Sequence, residues 1–523
     1  MARRILYITT DMMRWDSLGF TGCDYVNTPV LDGLAKTGVT FANAYNQNPL
    51  CMPSRSNMLT GQYPRTTGSW NNGIALRHDS PTVAETLHDA GWRTALIGKG
   101  HFEPYSSKDS LETTRLGRNT RYAPFRGFDH FVGVAHDQTP NDGHYAMWMK
   151  KYHPEYLEGE DYLYDLITVP KKPGEHTTMN ISEGGETGAV FVKKNLMPRE
   201  LYHTDWTADH AISYMDSIGD EEDAFVWVSF PDPHHPWDPP SSEDHRLDWK
   251  DVPLPDDRGD SDEQRVEWLE RRPSHWKDWY TGEKFVSFEA LQGYSYEKSL
   301  TDDNVKEIRQ KVAIKNELID EAIGRLVAYL EKRGWLDDTD IIFTPDHGAM
   351  DGSYGLLLIG PDLTNHCCKL PMIWKPSKNS GIAAAEVSAP VGIIDLAPTF
   401  CKIAGAEAPE WMEGSPLPTT QSEAKGQDRK LVFTQYESHT PDTHIIMNAA
   451  RDERYTCIKY EATPTYGGTE GELYDRVNDP REIDNLWDDP AHAEIKARMC
   501  EAIQNDLLAR PLFHPMPEPG ALI

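Results

Sequence analysis

The chain has 523 residues, with 52 Lys plus Arg against 83 Asp plus Glu and a formal net charge of −31. A field of that sign repels nucleic acid and anionic membrane, which excludes both as general partners, and a site for an anionic substrate then needs a local cluster of cations or a metal. The length exceeds what one simple core organises, so two domains, or one large domain with a satellite, are expected.

Residues 4–10 are a largely apolar run ending in Thr9-Thr10-Asp11, which predicts a first strand. Helical spacing follows over 28–37, through Leu31, Leu34 and Ala35, and over 82–90, closed by Gly91. Residues 94–97 and 224–230 read as strands. Between 236 and 284 the chain is rich in Asp, Glu, Pro and Trp without clean periodicity, and a long surface insertion rimming the site is expected there. Trp237, Trp249, Trp268 and Trp276 in and around it are candidates for stacking on a sugar or aryl group, with packing the more ordinary role of each. Residues 305–333 place apolar side chains at helical spacing up to Gly334, and 340–344 predict a strand that stops at Pro345-Asp346-His347-Gly348. The alternation implies an α/β fold with a mostly parallel sheet covered on both faces. In such sheets ligands sit at the carboxyl ends of strands, where Asp11 and Asp346-His347 fall.

Residues 405–429, rich in Pro, Glu, Ser and Thr, read as a connector. Beyond them 431–436, 444–448 and 456–460 predict short strands and 490–508 a helix, which together suggest a smaller domain with an antiparallel sheet. The division expected is 1–415 and 416–523. The seven cysteines are few, odd in number and widely spaced, which is no disulfide framework, and no Cys-x-x-Cys pair suggests zinc. The opening residues carry no long apolar leader, and no run of ~20 apolar residues predicts a membrane span. A reducing cytoplasm is the location expected.

Cys51 is followed by Met52-Pro53-Ser54-Arg55 and then Leu59-Thr60-Gly61. Cys-x-Pro-Ser-Arg with a trailing Leu-Thr-Gly resembles the motif by which formylglycine-dependent (type I) sulfatases of the alkaline phosphatase superfamily mark one cysteine for oxidation. Further segments are similar to that family in the same order. They are Thr10-Asp11 with Arg14-Trp15-Asp16, Thr28-Pro29 through Leu34-Ala35, Gly98-Lys99-Gly100-His101, Asp232-Pro233-His234-His235-Pro236, Pro345-Asp346-His347-Gly348, and Leu473-Tyr474-Asp475 with Asn478-Asp479-Pro480. Singly, each has a plainer reading: Asp11 as a helix cap, Lys99 as a surface lysine, His234 as part of a rigid loop, Asp346-His347 as a turn. Their co-occurrence carries the resemblance.

The resemblance implies an alkaline phosphatase-like fold with a smaller C-terminal domain. It also implies formylglycine made from Cys51 by a maturation enzyme, and one divalent cation held by Asp11, Cys51, Asp346 and His347. Ca2+ is the ion implied, with Mn2+ admitted by the single imidazole. Arg55, Lys99 and His101 would surround the transferred group, His234 would protonate the leaving alkoxide, and Asn72 would face the substrate. Two positions depart from the pattern. Met12 stands where many members carry a second carboxylate, and Ile359 stands where a lysine is usual, with Lys369 and His366 nearby in sequence. The leading expectation is hydrolysis of a small-molecule or saccharide sulfate monoester. The alternatives are a phosphonate monoester or phosphodiester hydrolase and a non-catalytic binding homologue. A homo-oligomer is left open.

Overall fold

A computed structural model of the chain describes residues 2–104, 110–112, 125–134, 143–156, 185–288, 296–426 and 429–515. Its centre is the strand Arg4–Thr10, in which all seven residues are buried. A strand covered on both faces needs apolar side chains in both alternating sets, and this one has them. Ile5 and Tyr7 pack with Phe225, Trp227, Leu96 and Ile342, under Leu87 of the helix Val83–Asp89 and Phe400 of the helix Leu396–Ala404. Leu6 and Ile8 pack on the other face with Val226, Val228, Ile97 and Phe343. That face is covered by Leu31 of Pro29–Thr37, Ala211 of His203–Asp216 and Ile319 of Asp302–Lys332.

Eight strands among the described residues form this sheet, in the order Ala385–Val387, Val39–Phe41, Ile373–Lys375, Thr339–Pro345, Arg4–Thr10, Ala224–Ser229, Arg93–Gly98, His130–Gly133. Ile373–Lys375 runs antiparallel to both neighbours, and the other pairs are parallel. The first strand therefore lies between two later ones at the point where the strand order reverses, which is where open α/β sheets bind ligands.

The helices begin at caps. Thr82 accepts the Glu85 N–H while Glu85 accepts the Thr82 N–H. Thr301 and Asn304 do the same ahead of Asp302–Lys332, so that helix starts three residues before its apolar periodicity.

Residues 236–284 are not a surface insertion. They contain the helices Asp262–Glu270 and His275–Thr281, and they bury Trp237, Leu269, Trp276, Trp279 and Tyr280 in one core with Tyr354 and Leu357. Short helices joined by turns leave no long periodic run, so aromatic packing with distant segments decides their place. The 405–429 stretch likewise buries Met412, Leu417 and Ala424 and holds the helix Gln421–Gly426.

The antiparallel sheet expected near the C-terminus has the strands Val432–His439, His444–Arg451, Tyr455–Tyr460 and Gly471–Asp475 in sequence order. Tyr436, Met447, Ile458 and Tyr474 face the Trp276 core. Phe433, Ala450, Cys457 and Leu473 face Met499, Ile503 and Leu507. The helix predicted over 490–508 is a 3-10 turn Pro490–His492, an α-helix Ala493–Ala502 and a π-helical end Ile503–Leu507. Among the described residues no helix is long and apolar enough to cross a membrane.

Candidate active site

The parallel register brings four strand ends level. Thr10 pairs with Pro345, Thr9 with Ser229, and Gly98 with Ser229. The ladder continues past the strands: Asp346 N–H donates to Thr10 O at 3.1 Å, Asp11 N–H to Asp232 O at 3.0 Å, and Lys99 N–H to Ser229 O at 2.8 Å. Residues far apart in the chain thus leave the sheet side by side. Gly98 permits the last approach: its φ is +107°, and a Cβ there would lie 1.9 Å from Ser229 O.

Cys51 opens the helix Cys51–Thr60, whose ten residues are all buried. A helix of mixed polarity is tolerated there because its polar groups have partners. Ser54 Oγ donates to Asp346 O at 2.7 Å, and Asn72 Oδ1 accepts the Met52 N–H at 3.0 Å. The helix N-terminus adds positive potential at residue 51. Arg55, one turn on, lies on the same face. Its Nε donates to Asp346 Oδ2 at 2.8 Å, and its other nitrogens reach Asp11 Oδ2 at 3.4 Å, Lys99 O at 3.0 Å and Ser229 Oγ at 2.8 Å.

Asp11, Cys51, Asp346 and His347 converge, with one donor atom from each lying within 4.8 Å of all the others. Cys51 Sγ is 3.1 Å from His347 Nε2 and 3.7 Å from Asp11 Oδ1. His347 Nδ1 is hydrogen-bonded to Gly348 O at 2.8 Å, which turns Nε2 toward the cluster. Each carboxylate gives one oxygen to this meeting point and the other to a cation. Asp11 Oδ2 is held by Lys99 and Arg55, and Asp346 Oδ2 by Arg55. Burial alone would raise the Asp11 pKa, but Lys99, Arg55 and His347 outweigh it and hold the carboxyl at about 2. Two carboxylate oxygens, one imidazole nitrogen and the side chain at 51 fit a divalent cation that prefers oxygen.

His101 and His234 are buried against the same cations. Burial, then Lys99 and Arg55, pushes the His101 pKa well below its usual value. Burial, then His235 and Lys99, does the same to His234. His101 has φ +56°, and its turn is held by Glu112, whose carboxyl accepts the His101 and Phe102 N–H groups at 2.5 and 2.6 Å. The His234 Nδ1 is 2.6 Å from His235 O.

Three contributors escaped the sequence reading. Ser229 and Glu112 carry no local signal. Lys315 has one, since it lies among Ile308, Val312 and Ile319 on the buried stripe of the long helix. Its ammonium holds the His234 loop, donating to His234 O at 3.0 Å and Pro236 O at 2.7 Å, and it pairs with Asp232 at 2.9 Å. Asn72 sits beside the helix Cys51–Thr60, with its oxygen on the Met52 N–H.

Met12 and Ile359 are both buried in the apolar core that contains Leu50, Met350 and Trp279. Lys369 and His366, nearby in sequence, have partners of their own. Lys369 Nζ lies 4.2 Å from the Trp15 ring centroid, and His366 is engaged by Asp257 and Thr364 at 2.7 and 2.8 Å.

A family model described as sulfatase matches residues 3–406. The chain belongs to the sulfatase family. A second model, described as N-sulphoglucosamine sulphohydrolase, C-terminal, matches residues 363–507 of this sulfatase. It is 25% identical over 535 residues to the N-acetylglucosamine-6-O-sulfatase of Bacteroides thetaiotaomicron, covering 96% of this chain and 85% of that protein. It is 25% identical over 505 residues to the choline-sulfatase of Rhizobium meliloti, covering 93% and 82%. Its fold matches that of a phosphonate monoester hydrolase from Silicibacter pomeroyi with a TM-score of 0.76, at 24% identity over 97% of this chain and 95% of that one. The sulfatase is thus a sulfuric ester hydrolase by family, on the alkaline phosphatase-like α/β fold that its motifs imply.

Proposed function

We propose that this sulfatase is formylglycine-dependent and hydrolyses a sulfate monoester to an alcohol and inorganic sulfate. The observation that carries this reading is the meeting of the Cys51 side chain, at a helix N-terminus, with Asp11, Asp346 and His347, whose two carboxylates are paired with Arg55 and Lys99. Asp11, Asp346, His347 and residue 51 would hold one divalent cation, Ca2+ before Mn2+, which supplies the Lewis acidity that makes a hydroxyl nucleophilic at neutral pH. Oxidised to formylglycine by a maturation enzyme and hydrated, residue 51 supplies one hydroxyl for attack and a second whose deprotonation releases sulfate.

The chain's own groups do the rest. Lys99, Arg55 and His101 set positive charge and donors around the oxygens on which charge grows. His234 serves the leaving group. With Nδ1–H donated to His235 O, its Nε2 carries a proton only in the imidazolium form. Burial disfavours that form in the resting site, and an anionic substrate beside it restores the proton. Asn72 supports the helix that presents residue 51 and borders the substrate. The sulfate esters acted on by the two named relatives make a saccharide or small-molecule ester the substrate class.

A phosphonate monoester or phosphodiester is the second reading. It is favoured by the Asp346-His347 pair at the second turn and by the likeness to a phosphonate monoester hydrolase. A binding homologue without turnover has Ile359 in its favour and is disfavoured by the intact cluster.

Protein produced beside a competent maturation system is expected to give a residue-51 peptide lighter than the thiol form, and an unmodified thiol there sinks the proposal. Matched aryl sulfate and phosphonate monoesters, with Cys51→Ala as the inactive control, are expected to show faster sulfate turnover. A large preference for the phosphonate selects the second reading. Ile359→Lys then tests whether the missing lysine limits sulfate hydrolysis.

A further inference from the structure

Outside the active site, a second group of ligating side chains lies on the hairpin between the first two strands of the C-terminal sheet. His439 Nε2 is 2.5 Å from Glu437 Oε1, and His514 Nε2 is 2.9 Å from Glu437 Oε2. His444 Nε2 is 3.5 Å from the same Oε1, with its ring centroid 3.7 Å from that of His439. His514 lies 75 residues beyond His439 on the segment after the last helix. It is stacked on Trp70 at 4.8 Å and 7°. Phe513 N–H donates to Arg65 O at 2.8 Å and Trp70 Nε1–H to Pro515 O at 2.9 Å, so the segment is docked where His514 meets the hairpin.

We propose that Glu437, His439 and His514 form a second divalent-metal site, suited to Zn2+ or a similar borderline ion, that fastens the C-terminal segment to this hairpin. Two hydrogen bonds satisfy the two carboxylate oxygens, but they leave the third imidazole crowded against the second. Two imidazoles and one carboxylate are a donor set that zinc takes with a water in the fourth tetrahedral position. Ligand atoms around such an ion lie about 3.3 Å apart, given bonds of ~2.0–2.1 Å. His439 and His514 now meet different oxygens of Glu437, so an ion between them would replace both hydrogen bonds, and the three donor atoms already lie within 4.8 Å of one another on partly exposed side chains. A cleft of about 510 Å³ lined by Trp70, Glu437, His439, His444 and His514 provides the entry path.

The donor types separate the two centres. The Asp11 centre is mostly oxygen, whereas this one is mostly imidazole nitrogen. The two are also linked through the wall of the site. Asn71 Nδ2 donates to Glu437 O at 2.8 Å, and the next residue, Asn72, accepts from Met52 at the start of the Cys51 helix.

The test is Zn2+ titration, by calorimetry, of full-length protein freed of metal with a chelator, repeated with Co2+ by absorbance. His439→Ala and His514→Ala are compared with wild type after circular dichroism has confirmed the fold of each. The wild type is expected to bind one more ion than either variant, or to bind that ion at least tenfold more tightly. Zn2+ is also expected to slow proteolysis of the C-terminal segment in the wild type and not in His514→Ala. Equal stoichiometry and affinity in all three proteins overturn the proposal. Failure of the Asp11 centre alone is distinguishable, because the wild type would then bind one ion and the variants none.

Discussion

Arg55 has no solvent contact and spans both carboxylates of the cluster, so its removal leaves two buried anions with one fewer partner. Arg55→Ala is expected to cost about 3–5 kcal/mol in denaturant unfolding, the range for breaking a buried pair. Arg55→Lys should recover part of that, because it keeps the charge but not the fork that reaches Asp11, Asp346 and Ser229 together. Asp11 makes a separate claim. Its pKa falls from 3.8 to about 2 on folding, so the ionised form is favoured by the native state. Stability from this group is complete above pH ~4 and is lost as pH falls from ~4 to ~2, in all about 2 kcal/mol. Urea midpoints measured across that window should fall less steeply in Lys99→Met than in the wild type, since Lys99 is the largest attraction lowering the Asp11 pKa.

At the scale of elements, the helix Asp302–Lys332 connects the core to the site through one buried ammonium. Lys315 is 1% exposed and answers Asp232 and Asp238 as well as two carbonyls of the His234 loop. Lys315→Met keeps the apolar stem and removes the charge. It is expected to cost about 3–5 kcal/mol of stability. Because it displaces His234, it should lower kcat most for esters with poor leaving groups. Equal losses for aryl and alkyl esters would show that Lys315 is structural and does not position His234. The elements themselves were legible in different degrees. The 4–10, 224–230 and 340–344 strands could be read as continuous apolar runs, and the helices over 28–37, 82–90 and 305–333 by apolar residues at helical spacing. The 236–284 region could not, because Trp237, Trp276 and Trp279 are buried by neighbours from distant parts of the chain.

For the whole molecule, the net charge of −31 opposes approach of an anionic ester, while the cations at the site are buried and local. Raising ionic strength from 0.01 M to 0.15 M shortens the Debye length from about 30 Å to about 8 Å. It is expected to raise kcat/KM for a monoanionic sulfate ester and to leave a zwitterionic one nearly unchanged. Initial rates at fixed pH check this, and a fall with salt would mean that the site's cations dominate the field the substrate meets.

Chemistry that depends on residue type and short spacing was determined by the sequence alone: Cys51 with Arg55 one helical turn away, Asp346 beside His347, and a strand leading to Asp11. The mostly parallel fold was determined there too, because alternating strands and helices have few ways to bury their apolar faces. The meeting of those residues was decided only by the tertiary structure. The parallel register set Asp11, Lys99 and Asp346 side by side, and backbone contacts past the strand ends kept them there. Ser229, Glu112 and Lys315 act through hydrogen bonds to groups outside their own elements, and the hairpin residues meet His514 only when the C-terminal segment docks. Such contacts have no period and no motif, since what selects them is distance in space.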